Sequence, residues 1–103
     1  MNPQQAPWLI IAYGPVWAIG RGSASAPPEY VRAMREYIRT ILAELFGPKI
    51  SNCVPVIYGG DVNAGNSAAL LKDGCVDGLF VGRAGWEADA FANLIRNALQ
   101  AVT

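Results

Sequence analysis

Val54-Pro55-Val56-Ile57-Tyr58-Gly59-Gly60 is the stretch whose reading decides the fold. Val54 to Tyr58 is an unbroken apolar run, and Gly59-Gly60 closes it. Continuous rather than alternating hydrophobicity predicts a strand buried on both faces, as parallel strands are. Pro55 lies near the start of the run, where a missing N–H is tolerated. Two further runs have the same character. Trp8 to Tyr13 is bounded by Pro7 and by Gly14-Pro15, and Gly78 to Val81 ends at Gly82.

Between these runs the period changes to that of a helix. Tyr30, Val31, Met34, Tyr37, Ile38, Ile41, Leu42 and Leu45 make one apolar stripe, with Arg32, Arg35, Glu36, Arg39 and Glu44 on the remaining face. Pro27 and Pro28 suit the first turn of this helix, and Gly47-Pro48 is expected to stop it. Asn66 to Lys72 reads as a shorter helix, capped from within Asn63 to Asn66 and closed by Gly74. Phe91, Leu94, Ile95, Ala98, Leu99 and Val102 form the stripe of a last helix. The order strand, helix, strand, helix, strand, helix implies an α/β fold with a parallel sheet and right-handed crossovers. Three strands leave two open edges.

The 103 residues allow a single domain, 1–103, with little surplus stability. Hydrophobic residues make up 52% of the chain and charged residues only 16%, which excludes disorder. Eight basic and eight acidic residues balance, and no basic block invites nucleic acid. Balanced charge with high apolar content predicts poor solubility unless another chain covers the apolar surface. No run is long enough for a membrane span. Met1 to Pro7 has neither the basic nor the apolar part of a secretory leader, so the expected compartment is the cytoplasm. Cys53 and Cys75 have no metal-type spacing and are expected to be two buried thiols. Neither a metal nor a cofactor is expected.

In β/α architecture the functional loops follow the C-terminal ends of the strands. Those loops are Gly14 to Ala26, Gly59 to Gly65 and Gly82 to Trp86, all glycine-rich. Glycine lets backbone N–H groups come close to an anion. Any one loop reads as a tight βα turn. Three at one end of a parallel sheet point to a phosphate site.

Motifs on these loops carry a family resemblance. Ala12 to Gly22 reads A-Y-G-P-V-W-A-I-G-R-G and resembles the triosephosphate isomerase pattern A-Y-E-P-V-W-A-I-G-T-G at strand six and its lid. Tyr58 to Asn63 resembles that family's Y-G-G-S-V-N after strand seven, and Asp77 to Gly82 its D-G-F-L-V-G on strand eight. The resemblance covers nearly the whole chain from Trp8. It implies a partial (β/α)8 TIM barrel of three βα units. It also implies a sugar-phosphate aldose–ketose isomerase of glycolysis and gluconeogenesis.

In such enzymes a glutamate takes a proton from the carbon beside the carbonyl. A histidine polarises that carbonyl, a lysine stabilises charge, and a closing lid excludes water. The resemblance places the lid over Pro15, Val16, Trp17, Ala18, Ile19, Gly20, Arg21 and Gly22, continuing to Ala26. Trp17 would pack its hinge. The same resemblance assigns phosphate binding to Gly20, Gly59, Gly60, Asp61, Gly82 and Arg83.

Departures from the pattern bear directly on activity. Gly14 stands where the family has its glutamate, so the general base is lost. The chain has no histidine, and neither Lys49 nor Lys72 matches the family's lysine. Asp61 replaces a serine and would repel an anion unless it points away or pairs with Arg21 or Arg83. Arg83 replaces the second glycine of a G-G pair. It reads equally as a phosphate ligand and as a solvated surface arginine. Val81-Gly82-Arg83-Ala84 also resembles isomerases of this superfamily that act on four-carbon ketose phosphates.

Trp8 and Trp86 are expected to pack rather than bind, and Asn63 with Asn66 to serve turn and cap chemistry. Three functional readings stay open. The chain is an inactive C-terminal portion of an isomerase, a phosphate-binding module without catalysis, or a self-assembling structural piece. The expected partners are a sugar phosphate or phosphate ion, weakly held, and either a homo-oligomer or the missing N-terminal barrel portion.

Overall fold

The computed structural model describes residues 9–14 and 26–102. The lid expected from Pro15 onward, and Trp8, lie outside them, apart from Ala26. The elements run β1 (Ile11–Tyr13), α1 (Pro28–Phe46), α2 (Pro48–Ser51), β2 (Val56–Tyr58), α3 (Ser67–Lys72), β3 (Gly78–Leu79) and α4 (Ala88–Val102). A 3-10 turn, Arg83–Gly85, separates β3 from α4. The sheet order is β1-β2-β3, parallel throughout. Ile11 pairs with Val56 and Tyr13 with Tyr58, while Ile57 pairs with Gly78. This is the parallel α/β sheet expected from the alternation of elements, and it is consistent with the partial barrel that the resemblance implies.

Successive strand side chains point to opposite faces, and among the described residues one face of this sheet is more deeply buried than the other. Val56 and Tyr58 are buried, while Ile57 between them is half-buried. On β1, Ala12 is exposed between the half-buried Ile11 and Tyr13. The expectation of strands buried on both faces is therefore corrected. Among the described residues the core clusters gather on the Val56 and Tyr58 side, which leaves Ile57 half-buried and Ala12 exposed. Two apolar clusters form there. Leu42, Val54 and Val56 gather Ile38 and Phe46 of α1 around them. Ala26, Val31, Tyr58, Val62, Leu70, Val76 and Leu94 form the other, joining α1, α3 and α4.

Helix α1 begins at Pro28 as expected, with Pro27 O accepting the Tyr30 and Val31 amides at 3.0 and 3.2 Å. Gly47, at φ 89°, ends it. Pro48 does not simply stop the chain. It opens the extra short helix α2, because proline suits a first turn as well as a terminus. Of the α1 stripe, Val31 and Leu42 are buried, whereas Tyr37, Ile41 and Leu45 are exposed. On α4 only Leu94 is buried, and Phe91, Ile95, Leu99 and Val102 are exposed.

An arginine clasp closes the end of the sheet opposite the glycine loops. Arg39 Nη1 donates to the carbonyls of Ser51 at 2.6 Å and Val54 at 2.5 Å, and Nη2 to Asp77 Oδ2 at 2.5 Å. Asp77 Oδ2 also accepts the Val56 amide at 2.8 Å. Three side-chain expectations are corrected. Cys53 is exposed and Cys75 half-buried, because both sit in turns flanking the core. Trp86 is 80% exposed at the start of the α4 connection and packs into no core. No described helix is long and apolar enough to cross a membrane.

Candidate phosphate-binding cleft

The three strands end together, and their following residues enclose a cleft of about 310 Å³. Gly14 reaches it from β1, Gly59, Gly60 and Asp61 from β2, and Gly82 and Arg83 from β3. Six residues singled out from sequence, spread over 70 positions, thus meet in one place. Register explains the meeting. Gly59 N donates to Tyr13 O at 2.9 Å, and Phe80 N to Tyr58 O at 2.7 Å, so adjacent strands release their loops at one level.

The second loop is held by its own side chains. Asn63 Oδ1 accepts the amides of Gly65 and Asn66 at 2.9 and 3.1 Å, and Asn66 Oδ1 accepts the Asn63 amide at 2.8 Å. Both side-chain amides then donate to Asp61 O, at 3.1 Å from Asn63 and 2.8 Å from Asn66. This is the turn chemistry expected of the pair. The Asn66 side chain makes no cap bond to α3, because it is turned back on Asn63. The lock holds Asp61 in the left-handed region, at φ 48°.

Asp61 is exposed and shares no ion pair with Arg83, also exposed. Arg21 lies outside the described residues. The cleft therefore carries an anionic and a cationic side chain, neither neutralised by a described neighbour. A Cβ built at Gly82 would meet no described atom within 4 Å. Packing does not demand a glycine there, and its missing side chain leaves room at the cleft wall.

Sequence reasoning missed the role of Tyr58. Its ring is fully buried, the Ala26 amide donates to its hydroxyl at 3.3 Å, and the hydroxyl donates to Gly60 O at 3.2 Å. The phenol thus joins the segment entering α1 to the glycine loop. The Tyr13 ring lies tilted 46° against it at 6.4 Å, and Tyr13 Oη donates to Tyr30 Oη at 3.4 Å. Burial pushes the Tyr13 phenol up to about 12, aided by the Tyr30 hydrogen bond and the nearby Tyr30 and Tyr58 phenols. The available signal was a tyrosine at the last position of two strands, since paired strand ends bring such rings together.

A profile of the triosephosphate isomerase family matches residues 1–98. The chain belongs to the triosephosphate isomerase family. It is similar to the triosephosphate isomerase of Dehalococcoides mccartyi, 41% identical over 95% of this chain and 38% of that protein. With the triosephosphate isomerase of Thermus thermophilus it shares 47% identity over 87% of this chain and 36% of the relative. The L-erythrulose-1-phosphate isomerase of Mesorhizobium japonicum is 37% identical over 91% of this chain and 35% of its own length. The chain thus spans somewhat more than a third of the triosephosphate isomerases it matches. A family barrel has eight βα units, and the three strands here account for a share of that size.

Proposed function

We propose that this chain is the phosphate-binding C-terminal portion of a triosephosphate-isomerase-type aldose–ketose isomerase, and that it does not turn over substrate by itself. The observation that carries this reading is the single cleft shared by Gly14, Gly59, Gly60, Asp61, Gly82 and Arg83 at the C-terminal end of the strands. Backbone amides of the glycine loops and the Arg83 guanidinium are the groups that suit a phosphate. At the mouth of β1, where resemblance assigns the proton-abstracting carboxylate, Gly14 has no side chain to accept a proton. No histidine exists in the sequence to polarise a carbonyl. The substrate class is a three- or four-carbon ketose phosphate. Similarity to triosephosphate isomerases supports the smaller one, and similarity to an L-erythrulose-1-phosphate isomerase the larger.

The test is isomerase turnover with triose phosphate and with erythrulose phosphate, on purified chain whose solution mass is measured in the same sample. No turnover is expected, and none from Gly14→Glu, because restoring one carboxylate leaves the histidine and lysine roles empty. Turnover above a purified blank overturns the claim of inactivity. The phosphate-binding module reading differs only in having no isomerase partner. It is favoured if inorganic phosphate binds while no barrel complement restores turnover.

A further inference from the structure

We infer that Asp61 is a specificity residue of the cleft: its carboxylate accepts a hydroxyl of the same ligand whose phosphate Arg83 holds. The inference rests on the phosphate reading above and deepens it, by assigning a task to the cleft carboxylate that repels a bare anion.

The lining of the cleft leaves Asp61 as its free side-chain acceptor. The glycines bring backbone only, and Val62 and Phe80 bring apolar surface. Tyr13 is also on the wall, but its hydroxyl is engaged with Tyr30 Oη at 3.4 Å. Among the described lining residues, Asp61 and Arg83 therefore hold the side-chain groups left for a polar ligand, and they do not neutralise each other in an ion pair. A guanidinium only donates and an ionised carboxylate only accepts. Together they fit a molecule with an anionic acceptor at one place and a hydroxyl donor at another. A phosphate without a hydroxyl satisfies Arg83 alone and meets repulsion at Asp61. A metal cation would find one carboxylate beside a guanidinium, too few oxygen ligands for a hard ion, and no cluster of three ligating side chains exists among the described residues.

Both groups stand on backbone that is already fixed. The Asn63 and Asn66 side-chain amides donate to Asp61 O, and Asp61 is held at φ 48°. Arg83 begins the 3-10 turn, in which Gly85 N donates to Gly82 O at 2.9 Å and Trp86 N to Arg83 O at 3.1 Å. Binding costs less ordering when the loops that carry the ligand groups need not fold around it. At about 310 Å³ the cleft lies at the lower end of small-molecule pockets, room for a small phosphate monoester. The hydroxyl bond to a carboxylate is charge-assisted. Because Asp61 is exposed, solvent screening keeps its discrimination well below that of a buried acceptor.

The experiment titrates the full chain calorimetrically with glycerol phosphate and with propyl phosphate, which has the same carbon count and charge but no hydroxyl. Glycerol phosphate should bind about tenfold more tightly. Asp61→Asn keeps the size of the side chain and tolerates a positive φ, but removes the charge. In that variant propyl phosphate should bind more tightly than before. The ratio of the two affinities should fall to about two, since a neutral amide oxygen is the weaker acceptor. Each ratio compares two ligands on one protein, so a loss of folded fraction cancels from it. Equal affinities in the unaltered chain overturn the inference and leave the phosphate reading standing. A ratio unchanged in Asp61→Asn overturns it too, by placing the hydroxyl contact elsewhere. Binding of neither ester sinks the phosphate reading and the inference with it.

Discussion

Asp61 and Arg83 line one cleft with opposite charges and no ion pair between them, so each acts on an incoming anion separately. Both are exposed, and solvent screening keeps their effects modest. Arg83→Ala should weaken inorganic phosphate binding about tenfold, by removing charge-assisted donors. Asp61→Ser should tighten it about fivefold, by removing a like charge. Calorimetric titration of the chain with phosphate checks both, and a stronger complex in Arg83→Ala would remove the guanidinium from the site. Tyr13 offers a prediction of a different kind. Its phenol ionises near 10 in an unfolded chain and near 12 in the folded one. The folded state therefore holds the proton more tightly. The stabilisation is fully present below pH 10 and is lost as pH rises through 12. Urea denaturation across that window should show falling stability, and Tyr13→Phe should flatten the fall.

Glycines at the two helix ends differ in a way that only the element scale reveals. At Gly47 a Cβ would meet nothing within 4 Å, but φ 89° with ψ 157° is a conformation essentially confined to glycine, so Gly47→Ala costs about 1–3 kcal/mol of backbone strain. A Cβ at Gly74 would lie 2.4 Å from Leu70 O, a backbone atom that cannot rotate away. Gly74→Ala must therefore shift the last turn of α3 and with it buried Leu70. It should destabilise the chain more than Gly47→Ala does, as chemical denaturation of the two variants would measure. Both glycines were legible as helix stops, whereas their unequal cost was not, because it depends on a contact between turns. The same limit explains the rest of the reading. Apolar runs and helical stripes located every strand and long helix, since period is a local property. α2 and the Arg83–Gly85 turn escaped because three or four residues carry no period. The cleft residues were legible through the family motifs and the rule that loops gather at strand ends. The Tyr58 link to Ala26 spans 32 positions and had no local sign.

At the scale of the whole molecule, stability depends on how few contacts cross between units. Beside the sheet ladder and a few single hydrogen bonds such as Ala26 N to Tyr58 Oη, two small apolar clusters and one ion-pair clasp connect the three βα units. A chain of this size has only a small margin to begin with. Arg39 sits at the centre of the clasp, its side chain only 13% exposed, and ties α1 to the turn before β2 and to the start of β3. Asp77→Ala leaves that guanidinium without its carboxylate and takes the acceptor from Val56 N. With Asp77 itself 42% exposed, the loss should be about 2 kcal/mol rather than the full penalty of a buried pair. Arg39→Lys cannot span two carbonyls and a carboxylate at once, so it should rescue little. In the isolated chain a loss of that size should abolish a cooperative urea transition. A transition as sharp as that of the unaltered chain would place the clasp outside the folding unit.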